Sequence, residues 1–169
     1  MEYTQGKSAP TLRPIKKSDI KTVAEIIRSV MTEFKAVGCG YSINDSEVDD
    51  MFTAYLPEGS AFYVVETEGR VLGCGGYAPL TGGDKRTCEL RKMYFLPKLR
   101  GTGMGAQMLR LCLDEARRDG YQHCYLETME GMEKARSLYE KHGFEYLDES
   151  MGDTGHSSCE TWMSRGITL

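Results

Sequence analysis

Leu96-Pro97-Lys98-Leu99-Arg100-Gly101-Thr102-Gly103-Met104-Gly105-Ala106 is the most informative stretch of the chain. A strand-like run, Thr87 to Phe95, leads into it. A helical pattern follows, with Met104, Met108, Leu109, Cys112 and Ala116 on one face and Gly120 as its C-cap. At such a junction consecutive backbone N–H groups lack intrahelical partners, and the positive end of the helix dipole converges with them on an anion. Glycine is needed where a side chain would block that approach or where φ must be positive. Glycines at 101, 103 and 105 beside Arg100 favour a phosphate cradle over a plain glycine-rich turn. The lysine and hydroxyl of a nucleotide P-loop are absent, which argues against NTP hydrolysis. Gly101, Gly103 and Ala106 also fit a degenerate G-x-G-x-x-A fingerprint. Glu127 lies where a ribose-binding acid would sit, so a Rossmann-type dinucleotide-binding protein is the rival reading.

Upstream, Thr11 to Ile15 is strand-like and Ser18 offers a helix N-cap. Ile20, Val23, Ala24, Ile27, Val30, Met31 and Phe34 then repeat at helical spacing. A second helix is expected from Ser46, with Asp49 completing a capping box, until Pro57 stops it. Ala61 to Thr67 and Arg70 to Leu80 read as strands joined at Glu68-Gly69, with Gly73, Gly75 and Gly76 marking a bulge or a close backbone approach. Downstream come a strand over 121–128, a helix over 132–142 with Gly143 at C′, and strands over 144–147 and 158–163. The order is β-α-α-β-β-β-α-β-α-β-β. With no repeat or linker, residues 1–169 form a single domain, the first ten residues being flexible.

The formal net charge of −4 disfavours nucleic acid as a partner and is compatible with an amine substrate. The absence of a long apolar run or a signal peptide predicts no membrane association and a cytoplasmic location. The six cysteines (39, 74, 88, 112, 124 and 159) are dispersed, without a C-x-x-C pair, and read as reduced, buried thiols. Together with three histidines they give no zinc-ligand cluster, so no metal is expected.

Arg100-Gly101-Thr102-Gly103-Met104-Gly105 resembles the R/Q-x-x-G-x-G/A pyrophosphate motif of the GNAT acetyltransferase superfamily. Glu89 to Pro97 resembles the strand that precedes it. Ala135-Arg136-Ser137-Leu138-Tyr139-Glu140-Lys141-His142-Gly143-Phe144 resembles the family's A-x-x-L-Y-x-x-x-G-F helix and strand. The motifs span about 88–144. A Rossmann fold predicts neither the β-rich stretch upstream nor the Tyr139 motif, so the resemblance decides between the two. It implies an α/β (α+β) GNAT fold: a mixed central sheet of six to seven strands, about four helices, and a splayed acyl-CoA cleft. The implied activity is transfer of the acetyl group of acetyl-CoA to a primary amine, on a small molecule or a peptide, by direct attack in a ternary complex. A non-catalytic acetyl-CoA-binding module is the alternative, and dimers are common in the family. Met132 stands where the family often has an asparagine against the cofactor arm, and no such role is carried over.

By the same resemblance, backbone groups around Met93, Tyr94 and Phe95 pair with the pantetheine arm like an added strand. The amides of Gly101, Thr102, Gly103, Met104, Gly105 and Ala106 hold the pyrophosphate, and Arg100 adds charge. Tyr139, a phenol of ordinary pKa near 10, is the candidate proton donor to the leaving sulfur; alone it would read as an apolar-stripe residue beside Leu138. Glu89 is the candidate general base, with Glu127 second; the plainer reading of Glu89 is an exposed strand glutamate paired with Arg91. Neither Cys88 nor Cys124 has an evident histidine partner that would make it a nucleophile. For the acceptor pocket the candidates are Glu33, Phe34, Tyr41, Tyr77, Glu127 and His156. His156 reads more plainly as a turn histidine. Asp45, Glu47, Asp49 and Asp50 would suit a polyamine or basic peptide, but read more simply as a solvated helix start.

Overall fold

Seven short stretches of alternating or β-rich sequence pair into one sheet, and two amphipathic helices close its faces. In the computed structural model, which describes residues 8–168, the order is β1 (Thr11–Pro14), α1 (Ile20–Glu33), α2 (Met51–Ala54), β2 (Ala61–Thr67), β3 (Arg70–Pro79), β4 (Thr87–Phe95), α3 (Met104–Arg118), β5 (His123–Thr128), α4 (Glu133–Lys141), β6 (Glu145–Leu147) and β7 (Thr161–Gly166). The sheet order is β1-β2-β3-β4-β5-β7-β6. Among the described residues, only β4 and β5 are parallel neighbours. A doubly wound dinucleotide fold needs a mostly parallel sheet, so this topology excludes it. The fold is α/β with a mixed, open sheet.

The apolar stripe of α1 (Val23, Ile27, Val30, Met31) packs on one face with Val64 and Cys74. Met104, Met108, Leu109 and Cys112 of α3 pack on the other with Tyr63, Val65 and Leu90. Cys74, Cys88, Cys112 and Cys124 are buried among them, whereas Cys39 is exposed and Cys159 half-buried, so the expectation of uniformly buried thiols fails at two positions. Among the described residues, no helix is long and apolar enough to cross a membrane.

Four local expectations change. Residues 1–7 of the expected flexible arm lie outside the described residues, but the Ser8 carbonyl accepts from Thr67 Oγ1 at 3.0 Å, tying that residue to the β2–β3 hairpin. Asp19 rather than Ser18 organises the start of α1: its carboxylate accepts from the Lys16 amide (2.7 Å) and from Arg13. The second helix is not continuous from Ser46. Short 3-10 turns at Ser42–Asn44 and Ser46–Asp49 precede a single helical turn, capped by Asp50 accepting from the Thr53 amide at 3.0 Å. The carboxylates of Asp45 and Glu47 are drawn inward instead, onto Lys92. The last strand starts at Thr161 rather than Ser158, because Ser158 is held by the Gly40 carbonyl (3.1 Å).

The sheet opens between β4 and β5. Their pairing covers only Thr87 to Glu89 against His123 to Tyr125. Just beyond, the β3–β4 register slips between Gly76↔Arg91 and Cys74↔Tyr94, and Lys92 adopts φ +52°. This β-bulge, opposite Gly75, bends β4 away from β5.

Candidate active site

Six consecutive amides, Gly101 to Ala106, have no acceptor among the described residues; the first helical bond of α3 is Gln107 N–H to the Gly103 carbonyl. Gly101 (φ +74°) and Gly103 (φ +83°) hold the left-handed backbone that turns the donors outward. A β-carbon at either position would meet nothing within 4 Å, so glycine is favoured there by backbone conformation, not by neighbouring side chains. The turn borders a groove of about 480 Å³ lined by Phe34, Met93, Tyr94, Phe95, Arg100 and Gly101 on one side and Met132, Ala135 and Leu138 on the other. Met132 therefore lies in the groove, supplying an apolar surface.

In β4 the Leu96 amide donates to the Leu72 carbonyl (2.9 Å). Antiparallel alternation then turns the backbone groups of Tyr94 toward β3 and those of Met93 and Phe95 toward the gap. The Phe95 carbonyl already accepts from Arg100 Nε at 2.9 Å, which leaves its N–H. The remainder of the Arg100 guanidinium forms a two-pronged ion pair with Glu33 (both contacts 2.6 Å) and lies 5.5 Å over the Phe34 ring. These contacts correct two acceptor candidates. Glu33 is exposed and occupied by Arg100, and Phe34 belongs to the groove beside the turn.

The gap leads from this groove into a narrower cavity where residues from both faces of the sheet meet. Glu89, Glu127 and His156 enter it from the α1–α2 side and Tyr139 from the α4 side. Tyr139 is 6 % exposed, and its hydroxyl has no hydrogen-bond partner among the described residues. Burial raises its pKa well above 10, so the phenol keeps its proton. Glu89 is 3 % exposed and accepts from Arg91 Nε at 2.7 Å. Burial raises its carboxyl pKa; Arg91 opposes that shift and the neighbouring Glu127 adds to it. The ligand atoms of Glu89, Glu127 and His156 lie within 4.8 Å of one another.

Glu127 Oε1 is buried without a hydrogen bond. His156 Nδ1 stands 3.5 Å away, near enough for charge attraction but outside hydrogen-bond geometry. On its other side His156 Nε2 lies 2.9 Å from Asp45 Oδ2. The hydrogen bond to Asp45, followed by the attraction of Glu127, pushes the imidazole pKa up to about 9. His156 is thus an imidazolium at neutral pH, held between two carboxylates.

Beyond Glu89 the cavity opens to solvent through a mouth lined by Asp45, Ser46, Glu47, Thr81, Arg91 and Thr154. Lys92 sits beneath the mouth, its side chain 2 % exposed, with Nζ 2.7 Å from Asp45 and 3.0 Å from Glu47. Sequence reading named Arg91 only as a strand partner of Glu89, missed Lys92, and took Asp45 and Glu47 for a solvated helix start. The adjacent charges Arg91 and Lys92 do break the strand's period-two alternation, and that break is the trace the bulge leaves in the sequence. Tyr41 lines the inner cavity. Tyr77 does not: it faces the α3 side, packs edge-on against Tyr121, and donates from its hydroxyl to Asp119 at 2.6 Å.

The family model described as Acetyltransferase (GNAT) family matches residues 24–144. The chain is 41 % identical over 160 residues to the uncharacterized N-acetyltransferase YjgM of Escherichia coli, covering 94 % of this chain and 96 % of that protein. Among solved structures, an acetyltransferase of GNAT family from Staphylococcus aureus superposes with a TM-score of 0.82 at 17 % identity, covering 95 % of this chain and all of the other. YncA from Salmonella typhimurium, a putative acetyltransferase solved with its cofactor acetyl-CoA, superposes at 0.75 with 22 % identity and 96 % coverage of each chain. Sheet order, opened strand pair, amide-lined turn and sequence agree, and the chain belongs to the GNAT family of acetyltransferases.

Proposed function

We propose that the protein transfers the acetyl group of acetyl-CoA to a primary amine by direct attack within a ternary complex. The observation that carries this reading is the passage through the sheet: the groove beside six free amides and the cavity holding Glu89, Glu127 and Tyr139 share Met93, Tyr94, Met132 and Ala135 as common walls. The residues present fit acetyl-CoA. The amides of Gly101 to Ala106 suit the pyrophosphate, the gap-facing backbone of Met93 and Phe95 suits the amides of the pantetheine arm, and Met132 and Leu138 supply apolar cover. The presence of acetyl-CoA in the YncA structure supports that choice. Acetyl-CoA supplies the activated acyl group. The protein's residues manage the protons.

An amine arrives largely protonated at neutral pH and must lose a proton before it can attack. Glu89 is the first candidate to take it and Glu127 the second; both line the cavity. Tyr139, kept neutral by burial, is the candidate donor to the departing sulfur. The thiols do not suit a covalent relay. Cys159 lines the cavity, but burial pushes its pKa up to about 12, and Cys124 is fully buried with its pKa raised well above the ordinary thiol value, first by its contact with Cys88.

The test is calorimetric titration with acetyl-CoA and, separately, NAD, followed by an amine screen that reads thiol release. Saturable binding of acetyl-CoA but not NAD, with amine-dependent release, is expected. Binding without turnover on any amine would make the protein a cofactor-binding module instead. A labelled acyl-enzyme trapped without acceptor would overturn direct transfer.

A further inference from the structure

The acceptor end of the cavity contains a closed set of charges that is one cation short. Four carboxylates, Asp45, Glu47, Glu89 and Glu127, stand among three cations, Arg91, Lys92 and His156. Every cation is committed. Lys92 is buried against Asp45 and Glu47, and His156 lies between Asp45 and Glu127. Arg91 donates from Nε to Glu89 (2.7 Å) and from Nη2 to the Pro79 carbonyl (3.0 Å), while Nη1 lies 3.9 Å from Glu47. The atom short of a donor belongs to an anion: Glu127 Oε1, on a side chain 4 % exposed, accepts no hydrogen bond and has only the charge of His156 Nδ1 at 3.5 Å. Leaving a buried carboxylate oxygen without a hydrogen bond is unfavourable, and an arriving ammonium supplies both the missing donor and the missing charge.

Resting on the amine-acetyltransferase reading above, we infer that the acceptor is a cationic amine with no carboxylate on the carbon that bears the amine, its ammonium seated on Glu127 and Glu89. A free α-amino acid would bring a carboxylate into the same space. There it would meet four carboxylates and would have to take Arg91 from Glu89 or His156 from Glu127. An amine whose α-carbon carries hydrogen, an ester or a peptide amide brings no such charge. The mouth offers hydroxyls from Ser46, Thr81 and Thr154, which suit a polar, uncharged tail.

The experiment compares matched acceptors at saturating acetyl-CoA: ethanolamine with serine, cadaverine with lysine, histamine with histidine and tyramine with tyrosine, together with the methyl esters of the same amino acids. Because breaking a buried pair to admit an unmatched charge is strongly unfavourable, kcat/KM is expected to favour the member without the carboxylate by roughly a hundredfold, with the ester close to the amine. In Glu127→Gln, which removes the surplus negative charge, the discrimination within a pair is expected to shrink at least about tenfold, whatever happens to kcat. Equal or better use of the free amino acids overturns the inference and leaves amine acetylation standing. A preference that persists unchanged in Glu127→Gln also overturns it, since size rather than charge would then be selecting. Acetyl-CoA binding with no transfer to any member overturns the amine reading on which the inference rests.

Discussion

Tyr139 and the paired glutamates make opposite demands on the same small cavity, and their partners show how each is set. The Tyr139 side chain is buried and its hydroxyl, at the cavity, has no hydrogen-bond partner among the described residues, so Tyr139→Phe removes no hydrogen bond within the protein. Its stability should stay within about 0.5 kcal/mol of wild type, and its affinity for acetyl-CoA should be unchanged. If the phenol protonates the leaving sulfur, kcat falls roughly a hundredfold or more; a wild-type turnover number would sink the assignment. Glu89 is held by Arg91 while burial raises its pKa, so the acid limb of the rate profile should lie above the ordinary carboxylate range. Glu89→Gln should lower the rate most at the acid end of the active range, where nearly all amine arrives charged, with cofactor affinity intact. Turnover unaltered across pH would remove Glu89 as base and leave Glu127. Both glutamates and the tyrosine were legible in sequence, because a family motif or a strand position marked them. The orphaned oxygen of Glu127 was not, since it depends on where His156, 29 residues on by the sequence numbering, comes to rest.

The strand-to-helix turn was readable almost residue by residue, because each of its properties is local: φ at Gly101 and Gly103, and free amides at the start of α3. Gly103→Ala should therefore act through backbone conformation. A non-glycine residue at φ +83° is strained by about 1 kcal/mol, and relief of that strain turns amides away from the pyrophosphate. Calorimetry should show acetyl-CoA affinity reduced roughly tenfold or more with a loss of stability of about 1 kcal/mol; unchanged affinity would mean that the turn does not hold the phosphates. The link from α1 to this turn was not legible. Glu33 and Arg100 lie far apart in sequence, and only the packing of α1 over the groove brings the carboxylate onto the guanidinium. Since Arg100 is engaged, Glu33→Gln should free it and tighten acetyl-CoA binding, most visibly at low salt. An affinity indifferent to that substitution would assign Arg100 to closing the groove wall. At β4 the sequence displayed consecutive charges at Arg91 and Lys92, but a strand read at period two has no means of placing both on one side. The bulge does so, and both reach Glu47.

Across the whole molecule, the order of elements followed from hydrophobic periodicity, whereas the closure of the acceptor end did not. The segment joining β6 to β7 is irregular, and its position is set by scattered contacts with distant loops. The Asp153 amide donates to the Thr81 carbonyl (2.7 Å), the Met151 amide to the Tyr125 hydroxyl (3.2 Å), and the Ser158 amide to the Gly40 carbonyl. His156 is the charged member of this strap, joining it to Asp45 on the α1–α2 connection and to Glu127 on β5. Its pKa rises from 6.5 to about 9 on folding, first through Asp45. A group whose folded pKa is raised stabilises the fold fully below its unfolded value, and that contribution is lost as pH rises through the folded value. Wild-type stability should therefore decline between pH 6.5 and about 9 by on the order of 1 kcal/mol, after allowance for solvent screening at the strap's open side. The lowered pKa of Asp45 contributes nothing to that window, since its carboxylate is ionised throughout it in both folded and unfolded chains. Lys92 stays charged there too, its pKa being raised above 10.5. Denaturant unfolding of wild type and His156→Gln across this range isolates the effect. The variant should be less stable at pH 6.5 and converge with wild type above pH 9, and hydrogen exchange at the Ser158 amide should quicken with pH in wild type beyond the intrinsic rate. Parallel stability curves for the two proteins would mean that the imidazolium does not hold the strap, and that its backbone bonds to Thr81 and Gly40 suffice to close the acceptor end.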